Sequence, residues 1–205
     1  MKCDLLITDL DGTLVDLGID WDQLRDRIRR EMGWNHPLKP LGPSIPVAAG
    51  GDREKVEAAF KIVERAEVEA AMRAERDEKL ISSLNRLRNL GLKIGLVTLQ
   101  ALNPALTALR RLGVLEFFDL IITREISLSR EEQLKIVIEK LKSRPDRSIF
   151  VGDTEMDLES SRKIGCIFIS VGRRVNWRLS AESFYQVPDL VEAILHDTRQ
   201  ESLRF

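Results

Sequence analysis

Two aspartates one residue apart, Asp9 and Asp11, are followed by Gly12 and Thr13 at the end of an apolar run, residues 5–15 (LLITDLDGTLV). Side chains alternate along a strand, so both carboxylates leave its C-terminal tip with the same facing. Carboxylates held that close repel each other, and the pair therefore predicts a divalent metal or a raised pKa. Gly12 lets the chain turn sharply and, with Thr13, which offers a hydroxyl and a backbone N–H, is expected to face an anion such as a phosphate. A second string, residues 149–157 (IFVGDTEMD), places Asp153 at another strand tip and Asp157 about one helical turn further on. Projecting towards Asp9, this pair can supply one direct metal ligand and, behind it, one carboxylate that orients a water.

The elements that must position these groups alternate along the chain. Residues 20–31 have helical periodicity, with Trp21, Leu24 and Ile28 on one face. Residues 36–51 hold four prolines and three glycines among apolar residues, a composition expected to exclude both helix and central strand. From Asp52 to about residue 72 a charged helix is expected, with Val56, Ala59, Phe60, Val63 and Val68 as its apolar stripe. Helix over 80–90, strand over 92–98, helix over 104–112 with Asn103 as its N-cap, and strand over 118–123 follow. Then come helix over 131–141, strand over 148–152, helix over 157–164, a fifth strand over 166–171 and a closing helix over 187–196. Five strands separated by helices imply an α/β fold, a Rossmann-like parallel sheet with right-handed crossovers and helices on both faces. In such a sheet the functional loops lie at the C-terminal strand ends, where Asp9, Thr98 and Asp153 all fall. Residues 197–205 read as a frayed end or a contact strip.

The 205 residues allow one good core and one insertion. A net charge of −1 gives no reason to expect nucleic acid or an anionic membrane as partner. No run has the apolar length of a membrane span and the start lacks a signal peptide's basic residues and cleavage site, so a cytoplasmic protein is expected. Cys3 and Cys166 sit in or beside apolar runs and read as buried, reduced thiols; His36 and His196 do not suggest a metal pair.

The string Asp9-x-Asp11-Gly12-Thr13 resembles the first motif of the haloacid dehalogenase superfamily in its phosphatase form, and Gly152-Asp153 with Asp157 resembles its fourth. The resemblance implies that Asp9 is the nucleophile and Asp11 the general acid and base. It also implies Mg²⁺ held by the Asp9 carboxylate, the Asp11 backbone carbonyl and the Asp153 carboxylate. The family's second motif, an apolar strand ending in Ser or Thr, is matched by Leu96-Val97-Thr98, so the Thr98 hydroxyl is expected on a phosphate oxygen. Leu99 and Gln100 follow where Asn is common, and the Gln100 amide could serve in its place. The third motif, a Lys before the helix after the third strand, is matched by no Lys: Arg130 lies at or next to the position, with Lys135 and Arg124 as alternatives. An Arg keeps the charge but grips phosphate as a planar fork rather than as a point charge.

Within the superfamily the chain is most similar to the phosphoglycolate phosphatase-like branch, which inserts a helical cap after the first motif. Residues 1–16 and 79–205 would then form the core, and residues 17–78 the cap. The function implied is a Mg²⁺-dependent phosphatase acting on a small-molecule phosphomonoester through an aspartyl-phosphate, with oligomeric state open. Two other readings stand beside it: a phosphomutase or phosphotransferase acting on a sugar phosphate, and a catalytically weak binding or regulatory protein, motivated by the altered second and third motifs.

Overall fold

A computed structural model describes residues 3–196 of the chain; the C-terminal stretch expected to be a frayed end or a contact strip lies outside them. The sheet is built from β1 (Leu5–Thr8), β2 (Lys93–Val97), β3 (Leu120–Ile122), β4 (Ser148–Gly152), β5 (Ile167–Val171) and a two-residue edge strand, β6 (Ser180–Ala181). Every pairing is parallel, in the order β3-β2-β1-β4-β5-β6. The sheet therefore has six strands among the described residues, not the expected five. β6 escaped the sequence reading because two residues carry no alternation to read.

Eight helices accompany the sheet among the described residues: α1 (Trp21–Met32), α2 (Leu41–Ala48), α3 (Arg53–Arg73), α4 (Glu78–Asn89), α5 (Leu102–Leu112), α6 (Arg130–Lys140), α7 (Glu155–Ile164) and α8 (Val187–His196). None is long and apolar enough to cross a membrane. The strict alternation of β1 divides the core in two. Leu6 packs on one face with α4, α5 and α8, through residues such as Leu84, Leu109 and Val191. Leu5 and Ile7 pack on the other, with Leu134 and Val137 of α6 and Leu158 of α7. Burial on both faces explains why β1, β4 and β5 read as continuous apolar runs, and each buried Leu or Ile side chain stabilises by about 1.5–3 kcal/mol. Cys3 and Cys166 are both buried thiols, as expected. Burial pushes the Cys166 thiol up to about 12.

Helices α1 to α3 gather a third apolar cluster, Leu24 and Ile28 against Leu38, Ile45, Ala59 and Val63. Three sequence expectations are corrected in and around it. The Pro/Gly-rich stretch contains a helix, α2, which tolerates Pro43 because the first turn's amides need no intrahelical acceptor. Pro46 lies inside it, at the loss of one hydrogen bond in an eight-residue helix whose Leu41 and Ile45 are buried. Val68 points to solvent, and the buried side of α3 runs instead through Ala59, Ile62, Val63, Glu67, Ala70 and Ala71. Finally, α5 starts before Asn103, with Ala101 at the N-cap and no side-chain cap; the Ala101 N–H donates to the Glu67 carboxylate of α3 (3.1 Å). Ala70 and Ala71 are buried with the main core, so α3 belongs to both clusters.

Candidate active site

The Asp9 N–H donates to the Val151 carbonyl at 3.0 Å, continuing the β1–β4 ladder one step past the strand. This sets Asp9 beside the end of β4, at the crevice where the strand order reverses, the place where open α/β sheets bind ligands. Asp9, Asp153 and Asp157, all buried, each offer a carboxylate oxygen, and these oxygens lie within 4.8 Å of one another. Two glycines make the approach possible. At Gly12, with φ +86°, a Cβ would collide with the Asp153 carboxylate; at Gly152 one would lie 2.6 Å from the Asp157 Cβ.

Arg130 joins the acidic residues. Its Nη2 donates to Asp9 Oδ1 at 2.8 Å and its Nη1 to Gln133 Oε1 at 2.9 Å. Its Nε lies 2.8 Å from Asp157 Oδ1, an ion pair without hydrogen-bond geometry. Ser129 caps α6, so Arg130 is the first residue of that helix and points back under the sheet's edge. Gln133 holds the arrangement from behind, its Nε2 donating to the carbonyls of Thr98 (2.8 Å) and Ser127 (2.9 Å). Of the three cations weighed for this position, Lys135 is exposed and Arg124 is engaged elsewhere: its Nη1 donates to both Glu67 oxygens, at 2.6 and 2.8 Å. Asp157 was expected to orient a water. Its second oxygen accepts from the Thr154 hydroxyl (2.6 Å) and N–H (3.2 Å) in a capping box that begins α7, two residues earlier than the pattern suggested.

The partners of Asp9 and Asp11 differ. Asp11 Oδ1 accepts from the Leu17 N–H (2.8 Å) and Oδ2 from the Trp21 indole (3.0 Å), so its carboxylate is fixed by the first residues leading into α1. Thr13 and Gly12, expected to face an anion, are engaged within the chain: the Thr13 hydroxyl donates to Asp153 Oδ1 (3.1 Å), and the Gly12 N–H to the Val15 carbonyl (2.8 Å). Thr98 is buried at the tip of β2, its hydroxyl accepting from the Gln100 N–H at 3.1 Å and so keeping its own proton to donate. Arg174, which the sequence reading did not single out, donates from Nη1 to Asp153 Oδ2 at 2.8 Å. The only signal for it was its place in the loop after β5, which also leaves the C-terminal edge of the sheet.

The electrostatics follow from this crowding. Burial raises the Asp9 carboxyl, with Asp157 and Asp153 adding to it and Arg130 opposing, to about 8. Burial also raises Asp153, helped by Asp157 and opposed by Arg174 and Thr13. Burial raises Asp11 as well, against the two donors that favour its charged form. For Arg130, burial works against the charge, but Asp9 and Asp157 outweigh it and its pKa rises. Three buried carboxylates thus face one buried guanidinium and one, Arg174, that is 70% exposed. A further cation would relieve that imbalance, and an all-oxygen donor set suits a hard one such as Mg²⁺. A cavity of about 220 Å³ opens beside Asp9, lined by Trp21, Leu41 and Phe60 on one side and by Thr98, Gln100 and Arg130 on the other.

Comparison with known proteins places this geometry in context. Residues 6–171 match the family model described as haloacid dehalogenase-like hydrolase. The chain is 26% identical over 185 residues to the phosphoglycolate phosphatase of Rhodobacter capsulatus, spanning 80% of this chain and 82% of that protein. It is 25% identical over 203 residues to the pyrophosphatase PpaX of Bacillus mycoides, spanning 93% of each. The structure of β-phosphoglucomutase from Clostridium difficile superposes with a TM-score of 0.74 over 95% of this chain and 100% of that one, at 16% identity, a likeness of fold.

Proposed function

The chain belongs to the haloacid dehalogenase-like hydrolases, and from that premise we propose that it is a Mg²⁺-dependent phosphatase that hydrolyses a small-molecule phosphomonoester through an aspartyl-phosphate on Asp9. The observation that carries this reading is the convergence of Asp9, Asp153 and Asp157, the first and last paired with Arg130, at the switch point of the sheet. Relatives named phosphoglycolate phosphatase and pyrophosphatase support phosphoryl chemistry without identifying the substrate.

In this mechanism an Asp9 oxygen attacks phosphorus and the bond from phosphorus to the leaving oxygen breaks. A carboxylate is a poor nucleophile, made usable by position and by removal of the charge that repels the phosphate dianion. Arg130 opposes protonation of Asp9 and lies close enough to meet a phosphate oxygen, while Asp157 and Gln133 hold its guanidinium plane. Thr98 donates its hydroxyl to a second phosphate oxygen. Mg²⁺, held by the carboxylates of Asp9 and Asp153 and by the Asp11 backbone carbonyl, would offset the remaining negative charge. Asp11, whose carboxyl is raised by burial, gives its proton to the leaving alkoxide. It then takes a proton from the water whose oxygen attacks phosphorus, and the Asp9–phosphorus bond breaks to release inorganic phosphate. Residues 17–78 act as a cap over this site: Leu17 and Trp21 orient Asp11, and Phe60 and Glu67 of α3 face the cavity.

Release of phosphate from p-nitrophenyl phosphate and from simple alkyl phosphates tests the reading. Activity is expected with Mg²⁺ and not after chelation, and Asp9→Asn is expected to lower kcat by at least about 10³-fold, a loss of about 4 kcal/mol in transition-state stabilisation. Asp9→Asn with wild-type turnover would overturn it.

A further inference from the structure

Gln100 is 3% exposed, and neither its side-chain nitrogen nor its side-chain oxygen has a hydrogen-bond partner. Its backbone is held at both ends, the N–H donating to the Thr98 hydroxyl and the carbonyl accepting from the Arg124 N–H at 3.3 Å. Gln100 lines the cavity, and its amide keeps one donor group and one acceptor unspent, an arrangement that costs free energy unless a bound molecule completes it. The charged groups along the same wall are already paired. Arg124 bonds both Glu67 oxygens and lies 5.1 Å from the centre of the Phe60 ring. Arg25 donates to Asp22 (2.8 Å) and to the Leu38 carbonyl (3.1 Å).

We propose that Gln100 determines specificity by pairing with a hydroxyl on the leaving group, so that the substrate is the phosphomonoester of a small, uncharged polyol. This rests on the phosphatase reading above and adds the substrate class. A hydroxyl both donates and accepts, and so satisfies both halves of the amide. A carboxylate would satisfy the nitrogen but set its charge against the amide oxygen, and Arg124, whose N–H bonds the Gln100 carbonyl, has its guanidinium committed to Glu67. The cavity, about 220 Å³, has room for a phosphate and a leaving group of a few carbons.

Three esters separate the possibilities: glycerol 1-phosphate, n-propyl phosphate with the same carbon skeleton and no free hydroxyl, and 2-phosphoglycolate with a carboxylate. Wild-type kcat/KM is expected to be at least about 100-fold higher for glycerol 1-phosphate than for either of the others, since a site built to pair a hydroxyl rejects the analogue lacking it. In Gln100→Met, of similar shape without the amide, the ratio of glycerol 1-phosphate to propyl phosphate is expected to fall to within about threefold of one. A ratio that differs between two substrates of one variant is not moved by a merely structural defect. Hydrolysis of all three esters at similar efficiency, a preference for 2-phosphoglycolate, or a wild-type ratio retained in Gln100→Met would each overturn the proposal while leaving the phosphatase reading intact. Should Gln100→Met not fold, the wild-type ratios decide alone. Failure of the wild type to release phosphate from any of these esters or from p-nitrophenyl phosphate would overturn the phosphatase reading and the proposal with it.

Discussion

At the level of single residues, the substitution of Arg for Lys in the third motif has a structural consequence that a charge count misses. Lys would present one point of contact, whereas the Arg130 fork reaches Asp9, Asp157 and Gln133 at once. Asp157 becomes the partner that fixes the guanidinium, and both charges are buried. Removing one of them strands the other, so Arg130→Met and Asp157→Leu are each expected to lower the unfolding free energy by about 3–5 kcal/mol in denaturant titrations. An unchanged midpoint in either would contradict the pairing. Arg174 belongs to a different class, because its side chain is 70% exposed and its bond to Asp153 is cheap to break. At the proposed Mg²⁺ site it would compete with the metal for an Asp153 oxygen. Titration calorimetry should therefore show Arg174→Ala binding Mg²⁺ about two- to fivefold more tightly than wild type, from an exposed pair worth up to about 1 kcal/mol; weaker binding would show that Arg174 assists the metal site. The aspartates and Gly12 were legible because their chemistry is local. The choice among Arg124, Arg130 and Lys135 was not, since it turns on where α6 starts and on a partner, Glu67, that lies 57 residues from Arg124.

At the level of elements, α3 is the member whose role the sequence pattern concealed. Glu67 looks like one more charge on a charged helix, yet it is 1% exposed, bonds Arg124 and accepts from the Ala101 N–H at the start of α5. Burial raises its carboxyl while Arg124 and the Ala101 N–H oppose the shift. The pair adds a buried ionic contact between the helical insertion and the sheet, beside the packing of Ala70 and Ala71 in the main core. Glu67→Met and Arg124→Met should each destabilise by about 3–5 kcal/mol, and the double variant by clearly less than their sum, because two apolar side chains leave no orphaned charge. Additive costs would show that the two residues act independently. The stripe placing Val68 inside failed for the same reason: hydropathy assigned the face that tertiary ion pairing had moved to Glu67. In α2, local composition spoke against helix and packing decided otherwise, since buried Leu41 and Ile45 reward the turn that Pro46 weakens. By contrast β1, β2, β4 and α8 were legible almost to the residue, being long or apolar enough for periodicity to dominate.

At the level of the whole molecule, the sheet order brings together aspartates separated by more than 140 residues of sequence. β1 and β4 are hydrogen-bonded neighbours, and Asp9 and Asp153 leave their tips side by side. The α/β architecture and the helical insertion were both legible, as elements alternating after a helical excursion. The size and polarity of the cavity were not, because they depend on how the cluster of α1, α2 and α3 meets the loops after β1, β2 and β5. In the proposed function the arrangement passes a phosphoryl group through the Asp9 carboxylate. Rapid quenching in acid during turnover, followed by peptide mass spectrometry, reads this directly. An added phosphoryl group confined to Asp9, accumulating further in Asp11→Asn where the second step is slowed, is the expected result. Turnover with no phosphorylated Asp9 at any quench time, or with the group on another residue, would contradict it.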